Sequence, residues 1–374
     1  MINKILVITN TIDAGGAETF VMKLFRCIDK SKYIFDFLIN KRESNFYLKE
    51  INNLGGSVFY GYSKSRNPFK SFYSIYKVVK SNQYKTVFCI AVHPIGFIDI
   101  LAARLGGASK ILTRSTTTAT RFKFSLLLAF ISRPLMNLLT TIRIAPSKEA
   151  GEWLFGKGEI RKENVCVLTN GIDVQQYVFS QERRALMRRK LNIPKDMFVV
   201  GHVGRLCYQK NHAKILNVFA EIKKEKQNSI LLLVGVGELE SEINEKTKKL
   251  GLNNSVKLLG IRNDIPDLLM AFDVMVFPSF YEGLPNSIIE AQATSLPCII
   301  SDTISTEVKI TDRVVMLSLD KSDSYWAKVA LDKSTEERKD MCKEIVEAGF
   351  SIYDTINRLL KLLKEHNDND DNFL

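Results

Sequence analysis

Lys4-Ile-Leu-Val-Ile-Thr9, the turn Asp13-Ala-Gly15-Gly16, and the apolar positions Phe20, Val21, Leu24, Phe25 and Ile28 along Ala17–Ile28 decide the fold. The first run is apolar and β-branched at successive positions, the pattern of a strand buried on both faces, as parallel strands are. The glycines make a turn, and the three-to-four spacing after it belongs to a helix with one apolar face. Strand, glycine turn and helix therefore open the chain. Working outward, strand runs at Phe35–Ile39, Thr86–Val92, Lys110–Leu112 and Arg143–Ala145 alternate with helical patterns such as Phe72–Lys80 and Phe97–Leu105. This alternation predicts a parallel sheet with helices on both faces.

After an irregular stretch around Gly171–Pro194 the alternation restarts. Strands are predicted at Phe198–Val203, Ser229–Val234, Ser255–Leu259, Val274–Pro278 and Cys298–Ser301, with helices over Ala213–Lys226, Glu238–Leu250, Ile265–Ala271 and Asn286–Thr294. A chain of 374 residues exceeds what one hydrophobic core usually serves. The reading is an α/β protein of two Rossmann-like, doubly wound domains facing across a cleft: residues 1–175, residues 195–350, and a linker region over 176–194.

Composition narrows the class. With 45% hydrophobic and 25% charged residues, whole-chain disorder is excluded. No stretch of about 20 residues is free of charge, so no membrane-spanning helix is expected. The start Met1-Ile2-Asn3-Lys4 runs straight into a strand, so a cytoplasmic protein without a signal peptide is expected. Cys27, Cys89, Cys166, Cys207, Cys298 and Cys342 form no C-x-x-C pair and mostly sit in apolar runs, as small buried hydrophobes do in a reducing compartment. The net charge of +12 is uneven: residues before Val174 carry +13 and the remainder −1. The first half therefore suits an anionic partner, whether nucleic acid, an acidic membrane surface or a phosphorylated substrate.

Two stretches place polar groups where a ligand would dock. In Phe277-Pro-Ser-Phe-Tyr-Glu282-Gly283-Leu284-Pro-Asn-Ser-Ile-Ile-Glu290, Glu282 lies on the loop after a strand and Glu290 in the first turns of the next helix. Ligands of open α/β sheets sit at the carboxyl ends of the strands, so both carboxylates can reach one ligand. Ser287-x-x-Glu290 also fits a capping box, which would tie Glu290 to backbone instead. In Gly201-His-Val-Gly204-Arg205-Leu-Cys-Tyr-Gln-Lys210-Asn211-His212, a strand ends in a loop bearing Arg205 and Lys210. Two cations there can stabilise charge on a leaving diphosphate, or can be solvated surface groups. Gly235-Val-Gly237 lacks the third glycine of a dinucleotide fingerprint and fits a tight strand-to-helix turn. His202 and His212 have no ligand partner at metal spacing, so no metal site is expected.

Gly15-Gly16-Ala-Glu18, Asn170-Gly171-Ile172-Asp173, Gly204-Arg205-Leu with Lys210-Asn211-His212, Gly235-Val-Gly237, and Glu282-x7-Glu290 resemble, in that order, the retaining GT-B glycosyltransferases of family four. Phe277 through Asp302 is most similar to the branch that builds bacterial capsular, exopolysaccharide and O-antigen chains, and Gly349–Lys364 looks like the family's closing helix, which packs back on the first domain over about 351–365. The resemblance implies transfer of a hexosyl or N-acetylhexosaminyl group from a UDP-sugar, held mainly by the second domain. Arg205 and Lys210 would bind the diphosphate, Glu290 the ribose, and Glu282 the sugar near its anomeric carbon, with Gly283 and Leu284 beside it. Gly16 would approach the diphosphate from the opposite side of the cleft. His93, ending the Thr86–Val92 strand, would lie near the donor sugar; a satisfied structural histidine is its other reading.

The chain departs from the family pattern twice: it has Arg114-Ser115-Thr116-Thr117 where relatives often show His-Ser-His-Asn, and Lys210-Asn211 where Lys-Gly is usual. No Asp, Glu or Cys stands as a covalent nucleophile. The implied mechanism is front-face attack, the donor phosphate taking the acceptor proton, with no metal or other cofactor. The implied acceptor is a lipid-linked saccharide at the inner face of the cytoplasmic membrane. Arg121 to Leu139 mixes the cations Arg121, Lys123 and Arg133 with Leu126, Leu127 and Phe130, and suits either an anionic membrane surface or an ordinary core helix. A nucleotide-sugar epimerase on the same scaffold remains an alternative. A basic nucleic-acid-binding protein is another, although no helix-turn-helix, zinc or RNA-binding signature accompanies the basic clusters and no nucleic acid partner is expected.

Overall fold

The computed structural model describes residues 2–13, 15–43, 45–64, 66–116 and 123–368, with side chains outside 123–127 and 366–368. The apolar runs become strands of two all-parallel sheets. The chain divides into unit 1, residues 1–171 with 352–374, and unit 2, residues 172–351.

Unit 1 contains β1 (Asn3–Thr9), β2 (Tyr33–Ile39), β3 (Val58–Tyr60), β4 (Thr86–Ala91), β5 (Lys110–Ser115), β6 (Ile142–Ala145) and β7 (Val165–Val167), ordered β3-β2-β1-β4-β5-β6-β7. The chain winds outward from β1 to β3, returns, and winds the other way from β4. The reversal lies between β1 and β4, paired from Ile5↔Thr86 to Ile8↔Cys89. Phe25 of the first helix stacks on Phe35 of β2 at 5.3 Å between ring centroids. The helix Ile352–Asp368 belongs to this unit: Ile352, Ile356, Leu359 and Leu363, one face at helical spacing, join the core of β1, β2 and the first helix.

Unit 2 contains β8 (Phe198–Val203), β9 (Ser229–Val234), β10 (Val256–Leu258), β11 (Val274–Phe277), β12 (Cys298–Ser301) and β13 (Val314–Leu317), ordered β10-β9-β8-β11-β12-β13. Its reversal lies between β8 and β11, paired at Val274↔Val200 and Met275↔Gly201. Both sheets thus have a topological switch point, the place where open α/β sheets bind ligands.

Residues 176–194, read as a linker, are instead part of unit 2. The Gln181–Lys190 helix buries Met187 in the unit 2 core. Arg184 and Arg188 converge on Asp273, just before β11, at 2.5 and 2.7 Å. Arg188 also donates to the carbonyls of Ala271, Lys195 and Met197. A charge run that looks solvated in sequence is a bolt here.

Candidate functional site

β8 and β11 are neighbours, so the loops leaving their carboxyl ends meet. The loop after β8 runs through Gly204 and Arg205 into a 3₁₀ turn, Tyr208–Lys210; the loop after β11 carries Glu282 toward the Asn286–Ala293 helix. The two loops are joined by Phe280 N–H donating to the Gln209 carbonyl (2.9 Å) and Gln209 Nε2 donating to the Tyr281 carbonyl (2.8 Å). Lys210 Nζ then sits 2.6 Å from Glu282 Oε1, both side chains nearly buried, with the ammonium 4.4 Å from the centre of the Phe277 ring.

The floor under this pair is neutral. His202 is fully buried and stacks on Phe277 at 5.1 Å, and its Nδ1–H donates to the Val276 carbonyl at 3.0 Å. His212 lies edge-on to it, also at 5.1 Å. Burial, then the neighbouring His212 and Lys210, hold His202 well below the usual imidazole range. Burial first, and Lys210 as well, bring His212 down to about 4. A cation therefore rests on two uncharged imidazoles and an aromatic face, with one carboxylate as counter-ion.

Arg205 stands apart from Lys210: its side chain is 72% exposed and pairs with Glu238 at 3.0 Å. The glycines explain its placement. A Cβ on Gly235, whose φ is +134°, would stand 2.1 Å from the Gly204 carbonyl oxygen, and one on Gly237 would stand 2.2 Å from that of Leu206. Gly235-Val-Gly237 thus lets two backbones touch, with Leu206 N–H donating to the Val236 carbonyl at 3.0 Å. Asn211, where Lys-Gly is usual, adopts φ +53° and caps the next helix by accepting from Lys214 N–H. Asparagine is the non-glycine residue best suited to that left-handed position, which accounts for the departure.

Glu290 is buried in the Asn286–Ala293 helix. The N-cap is Pro285 and Ser287 lies inside the helix, so the Ser287–Glu290 capping box does not form. Gly283 and Leu284 occupy the partly buried turn between the two carboxylates.

In unit 1 the two loops at the switch point carry Gly16 and His93. Gly16 starts the Gly16–Cys27 helix, and the direction a Cβ would take there is open. Glu18, in the same first turn, accepts from the Thr11 hydroxyl at 3.0 Å and from that of Thr9 at 3.4 Å, tying the helix to the end of β1. His93 caps the turn Pro94–Gly96: its Nδ1 accepts from Ile95 N–H at 3.1 Å, and its ring lies edge-on to Trp153 at 5.6 Å. A neutral His93 must then carry its proton on Nε2.

The Lys123–Leu139 helix buries Ala129 and Met136 and exposes Phe130, Ile131, Leu135 and Leu138 on one side. Arg133, expected on the outer surface, turns inward: its Nε and Nη2 donate to the Trp153 carbonyl at 3.1 and 2.8 Å. Arg121, and the side chains of Lys123, Leu126 and Leu127, lie outside the described residues. Among the described residues no three His, Cys, Asp or Glu side chains could hold a metal ion, and no helix is long and apolar enough to cross a membrane.

Residues 183–350 match the family model "Glycosyl transferases group 1", and residues 11–143 match "Glycosyl transferase 4-like". EpsF of Bacillus subtilis (strain 168), which carries the name of a glycosyltransferase, is 34% identical, the match covering 97% of this chain and 98% of the relative. The Escherichia coli UDP-Gal:alpha-D-GlcNAc-diphosphoundecaprenol alpha-1,3-galactosyltransferase is 27% identical over 78% of each chain. Anabaena HepE, solved in complex with UDP-glucose, superposes with a TM-score of 0.75 at 20% identity, covering 97% of this chain and 99% of that one. This likeness shows the fold: the two Rossmann-like units are those of the GT-B class.

Proposed function

As the chain belongs to the group 1 glycosyl transferases, we propose that it moves a hexosyl or N-acetylhexosaminyl group, with retention, from a UDP-sugar to a lipid-linked saccharide in the synthesis of a bacterial surface polysaccharide. The observation that carries this reading is the Lys210–Glu282 pair at the unit 2 switch point, with Glu290 in the helix that follows. The diphosphoundecaprenol substrate in the E. coli relative's name supports the lipid-linked acceptor.

In this reading the bond from the anomeric carbon to the UDP oxygen breaks, and the acceptor hydroxyl forms its new bond on the same face. The hydroxyl proton passes to the departing phosphate oxygen, so no metal or other cofactor is required. Lys210, and Arg205 from its exposed position, neutralise charge growing on the diphosphate. Glu282 faces the positive charge growing at the anomeric carbon, with Gly283 and Leu284 beside the sugar, and Glu290 accepts from the ribose. Gly16 and His93 keep the roles that the resemblance gives them, at the diphosphate and the donor sugar. The test is incubation of the protein with single UDP-sugars and an undecaprenyl-diphosphate-linked saccharide. Extension of the lipid coupled to UDP release, with the donor's anomeric configuration kept, is expected. Sugar epimerisation without any acceptor would overturn the proposal.

The acceptor sits in a membrane, and the exposed side of the Lys123–Leu139 helix provides a docking face at the inner leaflet, with the basic first half of the chain favouring anionic lipid. Burying a large apolar side chain contributes about 1.5–3 kcal/mol. Phe130→Ser with Leu138→Ser should therefore lower retention on anionic liposomes at least tenfold, while leaving transfer to a soluble acceptor analogue intact. Unchanged retention would return this face to another role.

A further inference from the structure

Arg114 is the penultimate residue of β5, the strand beside β4, near the carboxyl edge of the unit 1 sheet. Its side chain is among the largest that are fully buried. Of the other arginines inside the molecule, Arg184 and Arg188 meet Asp273 and Arg313 meets Glu336, whereas Arg338 donates to three carbonyls, those of Leu269, Thr294 and Phe272. Arg114 meets no carboxylate among the described residues. Its Nη2 donates to the amide oxygen of Asn170, and its Nη1 reaches the Ser115 carbonyl only at 3.5 Å. The guanidinium lies 3.8 Å from the centre of the Phe20 ring, in the first helix, and its Nε has no acceptor among the described residues. Burial alone pushes it down to about 9.

A buried cation without a counter-ion destabilises a fold, so its retention calls for a use. We propose that Arg114 is an anion-binding residue whose missing counter-ion is a phosphate or diphosphate group arriving at the carboxyl edge of β5, Asn170 holding the guanidinium until it does. The planar fork of donors matches two phosphate oxygens at once, which a neutral amide cannot replace. That the anion belongs to a substrate rests on the glycosyltransferase reading; the unpaired cation does not.

The probe is inorganic pyrophosphate, added to the full chain carrying Arg205→Ala and Lys210→Ala so that the unit 2 cations are removed. At a hundredfold excess over its Kd it should raise Tm by about 5–10 °C. Adding Arg114→Met, which replaces the charge with an apolar side chain, should raise Tm by about 3 °C without ligand and abolish the response. Asn170→Asp supplies a carboxylate in place of the amide; it too should raise Tm and abolish the response, and it reads the same question if the methionine variant does not fold. A pyrophosphate response that survives both substitutions, or the lack of one in the parent, would overturn the proposal. UDP and geranyl diphosphate, compared as ligands, separate a donor phosphate from a lipid phosphate: whichever reproduces the Arg114-dependent shift is the source. None of these measurements needs transfer activity. A chain that transfers no sugar would sink the proposed function alone.

Discussion

Glu282→Ala should lower kcat about 10²–10³-fold, Lys210→Ala should do the same, and the double variant should be little worse than either. The two groups touch at 2.6 Å and are each other's counter-ion, so removing one leaves the other unbalanced at the centre of the proposed site. Lys210 without Glu282 still lies over Phe277, which stacks on neutral His202, so it keeps its place but loses its counter-ion. The KM for donor should change less than kcat, because in the proposed mechanism the pair acts mainly on charge present in the transition state. Glu290→Ala should show the opposite split: weaker donor binding by about 1–3 kcal/mol, as expected when a charge-assisted hydrogen bond is lost. Steady-state kinetics on folded variants, with folding checked by thermal melting, decide the matter. Additive losses in the double variant, or full activity in both single ones, would remove the pair from the chemistry.

The largest loss of stability is expected from Gly235→Ala, at about 3 kcal/mol or more. Two independent costs combine. The residue sits at φ +134°, a conformation closed to side chains, and the new methyl would stand 2.1 Å from the Gly204 carbonyl oxygen, well inside contact distance. Backbone cannot move aside as a flexible side chain can. Gly235 N–H donates to Gly260 at 2.9 Å, so displacement of this loop is resisted from its other side as well. The strain must then pass to Gly204 and Arg205, and activity should fall along with Tm. Gly251→Ala is the matched control, because its φ of +69° is also positive but nothing lies within 4 Å of its Cβ position. Equal melting points for the two variants would show that strain in φ, and not the collision, sets the cost.

The central strands were legible because each is buried on both faces, and a doubly buried strand must be a continuous apolar run. Phe198–Val203, Ser229–Val234 and Cys298–Ser301 match their predicted bounds. The strands that escaped notice, Val58–Tyr60, Val165–Val167 and Val314–Leu317, are all edge strands of three or four residues, half exposed and too short to leave a pattern. The Gln181–Lys190 helix escaped for a different reason. Its arginines look solvated until Asp273, more than 80 residues later, is brought against them.

Sequence by itself determined the α/β class, the two parallel sheets and the loops that bear charge after strands, because backbone hydrogen bonding and apolar burial act through neighbours and periods along the chain. It also marked Arg205, Lys210 and Glu282 as polar groups on loops after strands, and Glu290 as one in the helix that follows. Only the tertiary structure decided which of these meet. Strand order puts β8 beside β11, so Lys210 finds Glu282 across 72 residues of sequence, whereas Arg205, five residues from Lys210, faces outward to Glu238. The same ordering left Arg114 buried against Phe20 and Asn170, without a carboxylate among the described residues. Charge pairing depends on distances of a few ångströms between distant segments, and those distances are set by the packing of the sheet, which no local pattern encodes.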